Sequence, residues 1–103
     1  MSNKSIDIQT PQYAYVKAVF NGEVVGVMSI PGQGVTVLIK HGDFFTSYSK
    51  LKAVLVQKGD KIVEAQRLGQ VLTKADNVSE VAFRIDSKSG TVNPEYWLQS
   101  KIN

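Results

Sequence analysis

Apolar residues recur at every second position in this chain, in short runs, and helical spacing is almost absent. Val35, Val37 and Ile39 alternate with Thr36 and Lys40, the pattern of a half-buried strand that reaches His41. Residues 16–20, 23–30, 44–49, 53–56, 61–63, 68–72 and 81–85 read as further strands. Turn residues separate them. Asn21-Gly22 is a hairpin signal, Pro31-Gly32-Gln33-Gly34 a loop, and Lys58-Gly59-Asp60 a turn between two strands. Residues 74–79 are polar and turn-like, and Pro94-Glu95-Tyr96-Trp97-Leu98 closes the chain. So many short strands predict an all-β fold, a single antiparallel sheet curled as a sandwich or barrel. Residues 16–24 and 56–63 resemble each other as strand-turn-strand units, which suits a pseudo-duplicated hairpin fold.

Composition narrows the function classes more than the fold. With 103 residues the chain is expected to be one domain, residues 1–103, with a modest core. Its 12 basic and 9 acidic residues are scattered without an arginine cluster, which argues against nucleic acid. The absence of cysteine excludes disulfides, thiolate zinc and cysteine nucleophiles. No apolar run approaches the ~20 residues of a membrane helix, so no membrane insertion by such a helix is expected. The opening Met-Ser-Asn-Lys-Ser lacks a signal peptide's apolar stretch. The expectation is either a cytosolic protein or a domain cut from a longer chain.

Candidate chemistry is sparse. A zinc site would have to rest on His41, the single histidine, together with carboxylates. Its place at the end of an alternating strand, beside Gly42, favours a structural, hydrogen-bonding role over a ligand. No nucleophile elbow surrounds any serine, and the glycines form no phosphate-binding loop. Lys74 in Leu72-Thr73-Lys74-Ala75 is faintly similar to the modified lysine of lipoyl-type carriers, but reads more simply as an exposed turn residue. Residue chemistry alone disfavours an enzyme and implies no cofactor.

Several segments nevertheless fall together in order. Ser5-Ile6-Asp7-Ile8 is similar to a Gly-Ile-Asp-Ile opening, and residues 16–24 to a first hairpin. Residues 37–51, Val-Leu-Ile-Lys-His-Gly-Asp-Phe-Phe-Thr-Ser-Tyr-Ser-Lys-Leu, follow V-x-I-x-H-G-x-x-x-x-T-x-Y-x-H-L. Residues 56–69 follow V-K-x-G-D-x-V-x-x-G-Q-x-I-G. Glu80-Val81-Ala82-Phe83-Arg84-Ile85 stands where H-L-H-F-E-I is expected, and Asn93-Pro94-Glu95-Tyr96-Trp97-Leu98 matches N-P-x-x-W-L. Together these segments, over residues 3–98, resemble the LytM-type (lysostaphin-like) zinc endopeptidases.

The resemblance implies a zinc site held by an H-x-x-x-D motif and the second histidine of H-x-H, with two assisting histidines. Carried over, the ligand positions are Asn3, Asp7 and Ala82, and the assisting positions are Lys50 and Glu80. Only Asp7 keeps the family residue, so the resemblance implies a degenerate, non-catalytic domain with no metal. Degenerate relatives act as murein hydrolase activators of the EnvC type, and some motifs are similar to activator-type proteins of the Bacteroidetes. That implies a C-terminal piece of a longer protein of the periplasm or cell envelope, acting in septal peptidoglycan splitting. Its partner would be an N-acetylmuramoyl-L-alanine amidase; a non-catalytic peptidoglycan-binding domain is the alternative.

Alternation then assigns faces. Val81, Phe83 and Ile85 should point into the core, with Val37 and Ile39, while Glu80, Ala82 and Arg84 share the other side, which the resemblance implies faces an open groove. Tyr48 and Lys50 are expected to share the groove side with Phe44 and Thr46. The expected partner-binding groove is therefore Asn3, Asp7, Tyr48, Lys50, Glu80, Ala82 and Arg84, with Lys50 and Glu80 close enough to pair. Tyr96, Trp97 and Leu98 should close the core.

Overall fold

A computed structural model describes residues 5–73, 79–87 and 90–91 of the chain. Its strands are β1 (Ser5–Gln9), β2 (Tyr15–Lys17), β3 (Gly22–Ile30), β4 (Gly34–Lys40) and β5 (Phe44–Val54). They continue with β6 (Lys61–Ile62), β7 (Arg67–Val71), β8 (Glu80–Ser87) and β9 (Gly90–Thr91). All pair antiparallel in one sheet, with no helix among the described residues. The all-β expectation holds.

The sheet runs β1-β8-β5-β4-β3-β6, with β7 also pairing β5 and β2 pairing β7. β5 is the organising strand. Its first half lies between β4 and β8, and its end pairs β7 instead. What alternation predicts as two strands, 44–49 and 53–56, is thus largely one strand with a register shift inside it.

Neither predicted hairpin forms. β2 pairs β7 rather than β3, and β6 pairs β3 rather than β5. Asn21-Gly22 carries hairpin chemistry, but Gly22 is absent from the positive-φ glycines that a type I′ turn would require. Glycine is needed there for a different reason. A Cβ on Gly22 would lie 2.5 Å from the Lys40 carbonyl oxygen and 2.8 Å from His41 Nδ1. The two similar strand-turn-strand units instead meet each other, Gly22 opposite Ile62 and Glu23 opposite Lys61.

The predicted core residues are buried: Val37, Ile39 and Ile85 at 0% exposure, Phe83 at 1% and Val81 at 6%. Phe83 pairs across the sheet with Tyr48, the ring centroids 5.2 Å apart. Residues 93–98, including Tyr96, Trp97 and Leu98, lie outside the described residues.

Phe83→Ala should cost about 3–5 kcal/mol by removing a fully buried ring beneath Tyr48. Denaturant melts check this, and a loss below about 1 kcal/mol would contradict the core described here.

Candidate functional site

The site is organised by one extra residue in β5. Val37 lies opposite Tyr48 and Val35 opposite Leu51, so two steps along β4 face three along β5. This is a β-bulge, and Lys50 within it has φ 69°, the left-handed region. The bulge keeps Tyr48 and Leu51 both in the core, at 2% and 0% exposure. Between them, Ser49 and Lys50 turn toward the opposite face. Tyr48 therefore does not line the groove. Uninterrupted alternation would give Tyr48 and Lys50 one face, and the bulge separates them. Thr46 is likewise fully buried rather than on the groove side.

On the open face, β1 and β8 supply carboxylates to Lys50. Asp7 pairs with Ala82 and Gln9 with Glu80, so these side chains share a face. Lys50 Nζ lies 3.0 Å from Glu80 Oε1 and 3.2 Å from Asp7 Oδ1. The hydrogen bonds that Lys50 donates, first to Glu80 and then to Asp7, hold its ammonium above the ordinary lysine range, against the opposing effect of burial. Next to this triad, Arg84 Nε sits 3.0 Å from Asp86 Oδ2. That ion pair is out of hydrogen-bond alignment, leaving Nε and Asp86 Oδ1 buried without an aligned partner.

The same face carries residues that the alternation along β8 and β5 does not reveal. Met28 and Ile30 of β3, Thr36 and Leu38 of β4, and Ser47 and Ser49 of β5 join Ala82 and Arg84 around a concavity of about 280 Å³. Alternation along β3 and β4 was the available signal, since Leu38 lies between the core residues Val37 and Ile39. The groove is thus an apolar shelf at β3 and β4, a hydroxyl floor at β5, and ion pairs at β8 and β1. A larger concavity, about 420 Å³, opens on the core side between Ile8, Val16, Val19, Tyr48, Val81 and Phe83. Its lining is mostly apolar, with Lys17, Glu64 and Tyr15 also contributing. Asn3 and Lys74 lie outside the described residues.

His41 stands apart from this face. Its Nδ1 is 2.6 Å from the Asn21 carbonyl, which can only accept, so Nδ1 carries the proton. Nε2, 2.7 Å from Thr46 Oγ1, then accepts from that hydroxyl. Thr46 Oγ1 and Tyr48 Oη share a further hydrogen bond at 3.2 Å, and Tyr48 accepts from the Val19 N–H at 3.2 Å. Phe44 stacks on the imidazole, centroids 5.0 Å apart. The histidine is structural.

The model of Peptidase family M23 matches residues 1–94. The chain belongs to this family. An uncharacterized protein of Haemophilus influenzae is 34% identical over 90 residues, covering 82% of this chain and 21% of that protein. The murein hydrolase activator NlpD of Salmonella dublin is 26% identical over 101 residues, covering 96% of this chain and 27% of NlpD. The M23 domain described here therefore spans only about a quarter of those relatives. Among solved structures, the catalytic domain of the prophage-encoded M23 protein EnpA from Enterococcus faecalis superposes with a TM-score of 0.74. It is 26% identical and covers 88% of this chain and 75% of that one.

The described residues of this M23 domain do not fit the zinc that the family name implies. Asp7 and Glu80 already share a lysine ammonium, and Ala82 offers no donor. A catalytic zinc takes three protein ligands, and the cation at Lys50 would repel it. Among the described residues no group of three His, Asp or Glu side chains converges on one point.

Burial holds the His41 imidazole below its ordinary value of 6.5, an effect its bond to Asn21 opposes. The unfolded chain therefore takes up a proton that the folded domain resists. Stability is present above pH 6.5 and declines as pH falls through that value toward the folded one. Thermal melts should show Tm falling below about pH 6.5. His41→Gln should flatten that acid slope, and an unchanged slope would assign the titration to another group.

Proposed function

We propose that this M23 domain is a non-catalytic docking module of the cell envelope that binds and activates a cell-wall amidase in peptidoglycan splitting. One observation carries the reading: Asp7, at a position the family uses for a metal ligand, and Glu80, at one it uses for an assisting histidine, are bridged by the Lys50 ammonium. The named relative NlpD, a murein hydrolase activator, supports the activating role. The groove's form supports protein docking. An exposed apolar shelf at Met28 and Ile30 adjoins polar and charged groups, as in grooves that take an amphipathic segment.

The charges specify the segment further. Where β8 and β1 line the groove, Asp7, Glu80 and Asp86 outnumber Lys50 and Arg84 by one. A docking segment with apolar residues over Met28, Ile30 and Leu38 and a cation toward Asp7 and Glu80 would complement it. Peptidoglycan itself is the second reading, favoured by the hydroxyls of Thr36, Ser47 and Ser49 on the groove floor.

Two measurements test the proposal. After dialysis against zinc, metal analysis should find no stoichiometric ion; one tightly held zinc per chain would defeat the non-catalytic reading. Ala82→Arg should then fill the groove floor from the solvent side. It should lower amidase activation about tenfold or more while leaving Tm nearly unchanged. Lys17→Glu, beside the concavity on the other face, should leave activation intact. Full activation by folded Ala82→Arg would remove the groove from the mechanism. Retention of the domain on isolated peptidoglycan, lost in the same variant, would favour the second reading.

A further inference from the structure

β3 is paired on one side by β4 along nearly its whole length. Its other side is covered only at the start. β6 pairs Gly22 and Glu23, and Val24 exchanges backbone bonds with Asp60 and Gly59. After a register shift between Val24 and Gly26, residues 26–30 form an open sheet edge among the described residues.

Such edges are ordinarily blunted by charge, proline or distortion, because unpaired backbone groups recruit another strand. This one is not. No charged residue occurs between Glu23 and Lys40, and the five residues keep regular register with β4. Val27, Met28 and Ile30 are 37%, 54% and 40% exposed, an unusual apolar load for a free edge.

We infer that residues 26–30 pair with the same segment of a second copy of this chain, antiparallel about a two-fold axis at Met28. In that register Met28 faces Met28, Val27 faces Ser29, and Ile30 of each copy faces Gly26 of the other. The largest side chain of the edge thus meets the residue without one. There is room for it, since a Cβ on Gly26 would touch only Leu38 Cβ, at 3.7 Å. Neutrality matters as well, because self-pairing sets like against like near the axis and any charge there would repel its copy.

The pairing is also bounded at both ends. Pro31, where the chain leaves the sheet, falls opposite Val25, just short of the edge that Gly59 and Asp60 already cover. Two sheets joined this way place their open faces on the same side, so the Met28 and Ile30 shelves of the two copies become continuous. This inference stands whether or not the groove binds an amidase.

Sedimentation equilibrium of the purified chain, from micromolar to near-millimolar concentration, tests it. The weight-average mass should climb from 11.3 kDa toward twice that value. Met28→Lys and Met28→Glu should each remain monomeric with unchanged Tm, because Met28 is exposed. An equimolar mixture of the two should recover the doubled mass, since lysine and glutamate then face each other across the axis. A wild type that stays monomeric throughout, or a dimer that persists in both single variants, would overturn the inference. So would a mixture that remains monomeric, because it would deny the Met28-centred register.

Discussion

Thr36 of β4 faces a stretch of β5 that is one residue too long, and the rest of the molecule is arranged around that excess. The bulge holds Lys50 in a left-handed conformation, which costs about 1–2 kcal/mol for a residue other than glycine. Its partly exposed contacts with Asp7 and Glu80 are worth only ~0–1 kcal/mol each, so they offset the strain in part. The stronger compensation lies on the other face. Tyr48 and Leu51 are both buried there, and burial of each large apolar side chain contributes about 1.5–3 kcal/mol. Without the extra residue, strict alternation would drive one of them into solvent. The same irregularity precedes the point where β5 exchanges β4 and β8 for β7.

A second constraint sits at the corner between β2 and β3. Asn21 accepts from His41 through its carbonyl and from the Glu64 N–H through its side chain, at 2.6 and 2.7 Å. Gly22 then passes so close to Lys40 and His41 that no side chain fits. From there hydroxyls carry the hydrogen bonding inward through Thr46 to Tyr48, beneath Phe83. Polar groups in this part of the core are satisfied by one another, which is what allows a buried threonine and tyrosine amid aliphatic residues.

The open face follows from these two constraints. Its scaffold is that of the M23 family, and the EnpA likeness shows the fold in a catalytic member. Here the Lys50 ammonium bridges two carboxylates, so the cleft presents a pattern of charge beside an apolar shelf.

Periodicity in the sequence sufficed for the strand content, the antiparallel class and the core residues of β4 and β8, because apolar alternation is a local property of each strand. The family segments also placed Asp7, Lys50, Glu80 and Ala82 as positions to watch. Local pattern could not specify which strands pair: Asn21-Gly22 has the chemistry of a hairpin, yet close packing against Lys40 and His41 explains that glycine. Nor could it locate the bulge, which places Lys50 on the face opposite Tyr48 and makes Tyr48 a core residue. A register shift is decided by what both neighbouring strands and both faces can bury at once. Only the tertiary structure brings those four demands together. It pairs Lys50 with Glu80, as the family positions suggest, adds Asp7 to that pair, and among the described residues leaves the edge of β3 open.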